Sequence, residues 1–341
     1  MVVEAEHSEA ERQALISLVR DIRRWLPAPI IIALVVGLSG VYAQPVGDVP
    51  ATVAFAQAES IMTTEGPFNP EWLYPEGRID YRVIEWLLSQ AVAGSVGAED
   101  ADAAWEQLLS PSDRVGIQVD VEGIQPHDPL LEALVRQIMD RGVPMRNIII
   151  YAGEESALFR AGYDISGRAP GVQVMASDDR GYRNGVTRIA LDHCTKIVNL
   201  TRLRVDPEVG LHGALANCLA AVPYVDRQRM RRNPEQLPEA AAIATMRRKM
   251  VLHIVDALRP GFRPRDGGGR FDTWQLNGVL ASTDPVAVDV IGREILQNKL
   301  GSEAAEGQCA SIEVPYLAPA EASFRLGQSD REQIEVLQIG P

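Results

Sequence analysis

The stretch from 113 to 163 limits what this chain can fold into more than any other. Val115, Ile117, Val119 and Val121 alternate with Gly116, Gln118 and Asp120, the period-two pattern of a strand. Leu130, Leu131, Leu134, Val135, Ile138 and Met139 then recur at helical spacing. Asp128 stands where an N-cap would stand, with Pro129 at the first helical position. Gly142 ends that helix, and 147–151 reads as a second strand, apolar on both faces. Strand, helix and strand with short connections make a parallel crossover, and parallel strands need helices over both faces. The expectation is an α/β fold: a mainly parallel sheet covered by helices on both faces, in one large domain over 81–341.

The remaining chain continues the alternation. Helices are predicted over 81–90 and 100–109, and strands over 171–175 and 196–200. A small-residue helix is predicted over 210–221, and a basic, proline-flanked exposed insertion over 224–238. Apolar spacing predicts a long helix over 240–258, followed by a mobile loop over 259–270 that carries Gly267, Gly268 and Gly269. That glycine run lacks the Lys-Ser/Thr of a phosphate loop. A short strand over 277–281, a helix over 284–296 and an edge strand over 334–339 complete the reading.

Ahead of this domain, 1–25 is charged and 26–43 carries no charge. Eighteen helical residues span about 27 Å, just short of a hydrocarbon core of about 30 Å. Arg20, Arg23 and Arg24 precede the apolar run and Asp48, Glu59 and Glu65 follow it, so the domain is expected outside the cytoplasmic membrane. The run reads either as a signal peptide, cleaved after small residues such as Ala43, or as an uncleaved anchor that ties the chain to the membrane. Residues 44–80, rich in Pro, Gly, Ala and Thr, read as a surface linker. The net charge of −13 excludes a nucleic-acid partner, which requires a basic face. Three scattered cysteines cannot frame an iron–sulfur cluster.

Ligands of a parallel sheet bind beyond the carboxyl ends of its strands, where strand order reverses. The polar residues expected there are Gln118, Asp120, His127, Arg204, Asp206, His212, Asn217, Asp256, Asp284 and Asp289. Each has a plainer reading. Asp284 suits a helix cap, and Asp289 can pair with Arg293 one turn on. His253, in an apolar run, suits a core histidine. His212 with Asp206, or His127 with Asp120, would make a proton-transfer pair or a divalent metal site. Asp120, Asp206 and Asp256 together would suit Mg²⁺ or Ca²⁺, which prefer oxygen ligands.

Several segments together resemble the family named for domain of unknown function 362 (DUF362), in its exported branch. They are Ala104-Trp105, Ser112 to Ile117, Gly142 to Ile150, Ala161-Gly162-Tyr163, Lys196 to Asn199, Ala214 to Asn217, Ile254 to Leu258 and, most specifically, Ser282 to Asp289. The resemblance implies an α/β domain in a family whose reaction is not established. Some relatives carry iron–sulfur modules, which this chain lacks. The family pattern implied by the resemblance ends its first strand Ile-Lys-Val-Asn, where this chain has Ile117-Gln118-Val119-Asp120. Leu-Lys-x-His becomes Leu203-Arg204-Val205-Asp206, Lys-Asn becomes Ala216-Asn217, and a histidine after Pro223-Tyr224 is missing. By this comparison only Arg204 keeps a positive charge. Losing one such group costs about 3 kcal/mol in a transition state. The expected function is therefore an extracytoplasmic α/β protein with an eroded pocket, acting by binding or assembly. The alternative is a metal-dependent enzyme with a rebuilt carboxylate site.

Overall fold

A computed structural model describes residues 50–63, 78–165, 171–265, 270–303 and 311–340. The apolar run at 26–43, the glycines at 267–269 and Cys309 lie outside the described residues. Among the described residues, no helix is long and apolar enough to cross a membrane.

The crossover predicted from 113–163 is present. Strand β2 (Val115–Val119) pairs in parallel with β3 (Ile148–Ala152), Val115 opposite Ile148. Helix α3 (Asp128–Asp140) joins them and buries Leu130, Leu131, Leu134 and Ile138. Its cap position falls on His127 rather than Asp128. Gly142 closes the helix at φ +94°, a conformation that side chains with a Cβ resist. All five residues of β2 are buried, Gln118 among them, because helices cover both faces.

In sequence order the other strands of the ten-stranded sheet are β1 (Ala51–Gln57), β4 (Gln173–Ala176), β5 (Lys196–Asp206), β6 (Gly210–His212), β7 (Met250–Arg265), β8 (Arg270–Thr273), β9 (Gly278–Ser282) and β10 (Ile334–Ile339). Across the sheet the order is β10-β1-β9-β7-β5-β2-β3-β4, with β6 paired to β5 and β8 to β7. Along that path only β9 runs against its neighbours. The chain steps outward from β2 to β3 and β4, then crosses back to β5 on the other side of β2. The order therefore reverses between β2 and β5.

Helices α1 (Tyr81–Val96) and α2 (Ala101–Leu108) join α3 on one face, where Leu87, Trp105, Leu134, Ile117 and Ile254 share a core. On the other face α5 (Ala214–Asn217) and α7 (Pro285–Glu303) pack Leu215 and Val288 against Leu203, Leu211 and Val255. Each such fully buried side chain contributes about 2 kcal/mol. Between them in sequence lie α4 (Glu155–Arg160) and α6 (Tyr224–Arg232).

Four expectations are corrected. The linker at 44–80 contains β1, which is hydrogen-bonded on both sides, to β9 and to β10. Its composition of Ala, Val and Phe fits a crowded strand, and its partners lie more than two hundred residues away, so nothing local reveals it. The long helix over 240–258 is instead strand β7 from Met250 onward, preceded by short helices at Glu239–Ala242 and Ala244–Lys249. A strand buried on both faces is a continuous apolar run, which also satisfies helical spacing. The helix over 210–221 opens as β6, a strand folded back on β5. The exposed insertion at 224–238 buries Arg227, Met230 and Leu237.

Candidate functional site

Strand β2 ends at Val119, level with Leu200 of β5, and the Asp120 N–H donates to the Leu200 carbonyl at 3.0 Å. Beyond that rim β5 runs on to Asp206. Asp206 then turns the chain: its Oδ1 accepts from the Glu208 N–H at 2.9 Å and the Val209 N–H at 3.2 Å. The returning strand β6 sets His212 opposite Arg204. The hairpin therefore brings Arg204, Asp206 and His212 over the tip of β2, at the point where strand order reverses.

Those groups close on one another. The Arg204 guanidinium stands 3.6 Å from Asp120 and 3.5 Å from Asp206, and donates to the Glu122 carbonyl at 2.7 Å. His212 lies between the same carboxylates, its Nε2 3.3 Å from Asp120 and its Nδ1 3.5 Å from Asp206. Neither nitrogen is aligned for a hydrogen bond, and both are buried. Arg231 of α6 reaches Asp206 at 3.4 Å and Glu208 at 3.3 Å, and pairs with Glu122. The four central side chains are at most 5% exposed. Burial alone would raise the carboxyl of Asp120, but His212 and Arg204 hold it below the ordinary carboxylate range. Asp206 is likewise held below that range, against its burial, chiefly by His212. Burial and Arg204 both oppose charge on His212, yet the two carboxylates raise its pKa.

Beside this ion network lies an amide network. The Gln118 Nε2 donates to the Asn217 carbonyl at 2.5 Å, and Tyr151 Oη donates to Gln118 Oε1 at 2.8 Å. Asn217 Nδ2 donates to Asn199 Oδ1 at 2.6 Å and to the carbonyls of Gln118 and Leu200. Asn199 Nδ2 reaches His253 Nδ1 at 3.1 Å, and burial pushes the His253 imidazole down to about 3. His253 is thus a neutral core histidine, as its apolar setting predicts.

A cleft of about 480 Å³ opens above these networks, at the carboxyl ends of β2 and β3. Asp120, His212 and Asn217 form part of its floor, and Glu154 and Arg160 belong to its wall.

The remaining candidates fall elsewhere. His127 pairs with Asp256, not with Asp120: its Nδ1 is 2.8 Å and its N–H 2.6 Å from Asp256 Oδ2. Strand β7 carries Asp256 level with Arg202, which brings it under the start of α3. Asp284 is a helix cap, accepting from the N–H groups of Val286 and Ala287 at 2.8 Å each and of Gln328 at 2.9 Å. Asp289 turns inward from α7 to accept from the Ala214 and Leu215 N–H groups at the start of α5. Burial pushes its carboxyl up to about 7. The expected pair with Arg293 is replaced by these backbone donors.

The metal reading is corrected by the same geometry. Asp120 and Asp206 are bridged by Arg204 and His212, cations standing where an ion would stand, while Asp256 is held by His127. Among the described residues, no group of three or more His, Cys, Asp or Glu side chains is arranged to hold a metal. Arg204, the one cation kept at a matched position, is joined there by His212, which was expected at these strand ends, and by Arg231 of α6. Arg231, Glu154 and Arg160 were missed in the sequence. Arg231 lies in a basic helix that reads as a solvated face, and only the packing of α6 brings it to β5.

Fold and site together define an α/β protein with a mostly parallel sheet and a polar cleft at its strand-order reversal. Residues 130–294 match the family described as Domain of unknown function (DUF362), and the chain resembles that family. The match takes in Arg204, Asp206, His212 and Asn217, while Gln118 and Asp120 precede it. No curated protein matches the chain.

Proposed function

We propose that this chain is an extracytoplasmic protein, held at the membrane by 26–43 if that run is uncleaved, whose cleft binds a small polar molecule without transforming it. One observation carries the reading: beneath the cleft, Asp120, Asp206 and Glu122 are each closed onto cations of the same chain. General acid–base catalysis needs a group whose pKa lies near the working pH. Here Asp120 and Asp206 are held down by His212 and Arg204 or Arg231, and the His212 imidazole is held up by the two carboxylates, each moved away from a proton-exchanging role. Such a floor presents a fixed pattern of charge and dipoles, which suits recognition. The charge asymmetry around 26–43 supports an outward-facing domain.

The test uses the full-length chain in detergent. It is incubated with a pool of polar solutes, separated from free solute by filtration, and denatured. Retained solute recovered chemically unchanged is the expected result, with retention reduced by Asp120→Asn. Recovery of a converted product, formed by the native chain and not by Asp120→Asn, would refute the reading. For location, protease added outside intact spheroplasts is expected to degrade the domain.

A further inference from the structure

The charged groups of the cleft are not all spent. Glu154 immediately precedes α4, its side chain making no capping hydrogen bond, and Arg160 is the helix's last residue. Both line the cleft. Among the described residues, the Arg160 side chain makes no ion pair or hydrogen bond. Glu154 touches one cation, Arg227, at 3.7 Å, and that guanidinium is already engaged by Asp178 and by Tyr182 Oη at 3.3 Å. One cleft thus offers an available anion and an available cation. A step of six residues along the helix separates them, about 9 Å along the axis.

The floor supplies an independent sign of a ligand. His212 is only 2% exposed and lines the cleft, yet neither ring nitrogen has a hydrogen-bond partner. Asp120, beside it, supplies an acceptor. The contacts of His212 to Asp120 and Asp206, at 3.3 and 3.5 Å, are ion pairs without hydrogen-bond alignment, so its N–H groups keep directional capacity for a polar group in the cleft. Ala152, Ala157 and Ala216 make that stretch of wall small and apolar, which leaves width for side chains.

We infer that the cleft takes a small zwitterion of dipeptide length, with its ammonium group against Glu154, its carboxylate against Arg160 and its peptide group over His212 and Asp120. The inference rests on the binding reading above. Two extended residues span about 7 Å, which the two side chains reach from positions about 9 Å apart. A single amino acid is too short to meet both ends.

The test is calorimetric titration of the full-length chain with alanylalanine. Its N-acetyl derivative lacks the ammonium group, and its amide lacks the carboxylate. Each blocked form is expected to bind about ten-fold more weakly or worse, as loss of one charge-assisted contact implies. Arg160→Gln is expected to make free and amidated dipeptide equal. Glu154→Gln is expected to make free and acetylated dipeptide equal. Both positions are on the surface, and unchanged melting curves confirm that the variants fold. Equal binding of free and blocked forms to the native chain, or no binding of alanylalanine, overturns the inference. If other solutes of the pool are retained unchanged while alanylalanine is not, the zwitterion fails and the binding reading stands. Cleavage of alanylalanine by the native chain would instead refute the binding reading.

Discussion

Asp289 gives the strongest quantitative prediction. It is 1% exposed, and its carboxylate accepts from the N–H groups of Ala214 at 2.5 Å and Leu215 at 3.0 Å. Tyr316 Oη stands 3.4 Å away. Burial raises its carboxyl from 3.8 to about 7, against the pull of both amides and of His212. The unfolded chain therefore releases this proton near pH 4, whereas the folded chain keeps it to near pH 7. The resulting stabilisation is complete below pH 4 and is lost as pH rises through 7, a change of about 4 kcal/mol. Asp289→Asn removes the titration. Asparagine keeps one acceptor and sets its NH₂ against the second backbone donor, a cost that does not vary with pH. The variant should gain about 4 kcal/mol on the native chain between pH 4 and pH 8. At roughly 2 °C per kcal/mol, its melting temperature should gain about 8 °C relative to native. The comparison must be relative, because His253 has the opposite slope. Its imidazole is held near 3 by burial, so its contribution is present above the unfolded value of 6.5 and is lost as pH falls. Parallel melting-temperature profiles for the two proteins from pH 4 to 8 would refute the reasoning, since Asp289 would then be ionised throughout.

Three further predictions follow from the contacts. Arg204→Met leaves Asp120 and Asp206 buried with less neutralising charge and should cost about 3–5 kcal/mol in urea unfolding; a loss below about 1 kcal/mol would show that His212 and Arg231 suffice. Asp284→Ala removes the acceptor of three backbone N–H groups and should cost about 2 kcal/mol, with Asp284→Asn recovering part of it. A Cβ at Gly153 would meet the Arg227 guanidinium, so Gly153→Ala should cost about 1–3 kcal/mol. In a double-mutant cycle its cost should shrink when Arg227 is already alanine; simple additivity would contradict that contact.

The sequence by itself determined the crossover from β2 through α3 to β3, the helix cap at Asp284, the edge strand at the C-terminus and the core setting of His253. These are local signals, carried by spacing, caps and turns within a dozen residues. It also named Asp120, Arg204, Asp206, His212 and Asn217, because polar residues just past apolar strands mark the carboxyl ends of a parallel sheet. Only the tertiary structure decided which of them meet. The hairpin of β5 and β6 placed His212 between Asp120 and Asp206, the packing of α6 brought Arg231 beside them, and β7 carried Asp256 to His127 instead. Strand β1 was hidden for the same reason that β7 passed for a helix. A strand buried on both faces shows no alternation, and its partners come from parts of the chain that spacing along the sequence does not register. Whether a carboxylate meets a metal or a guanidinium depends on such distant pairings, and local chemistry along the chain does not encode them.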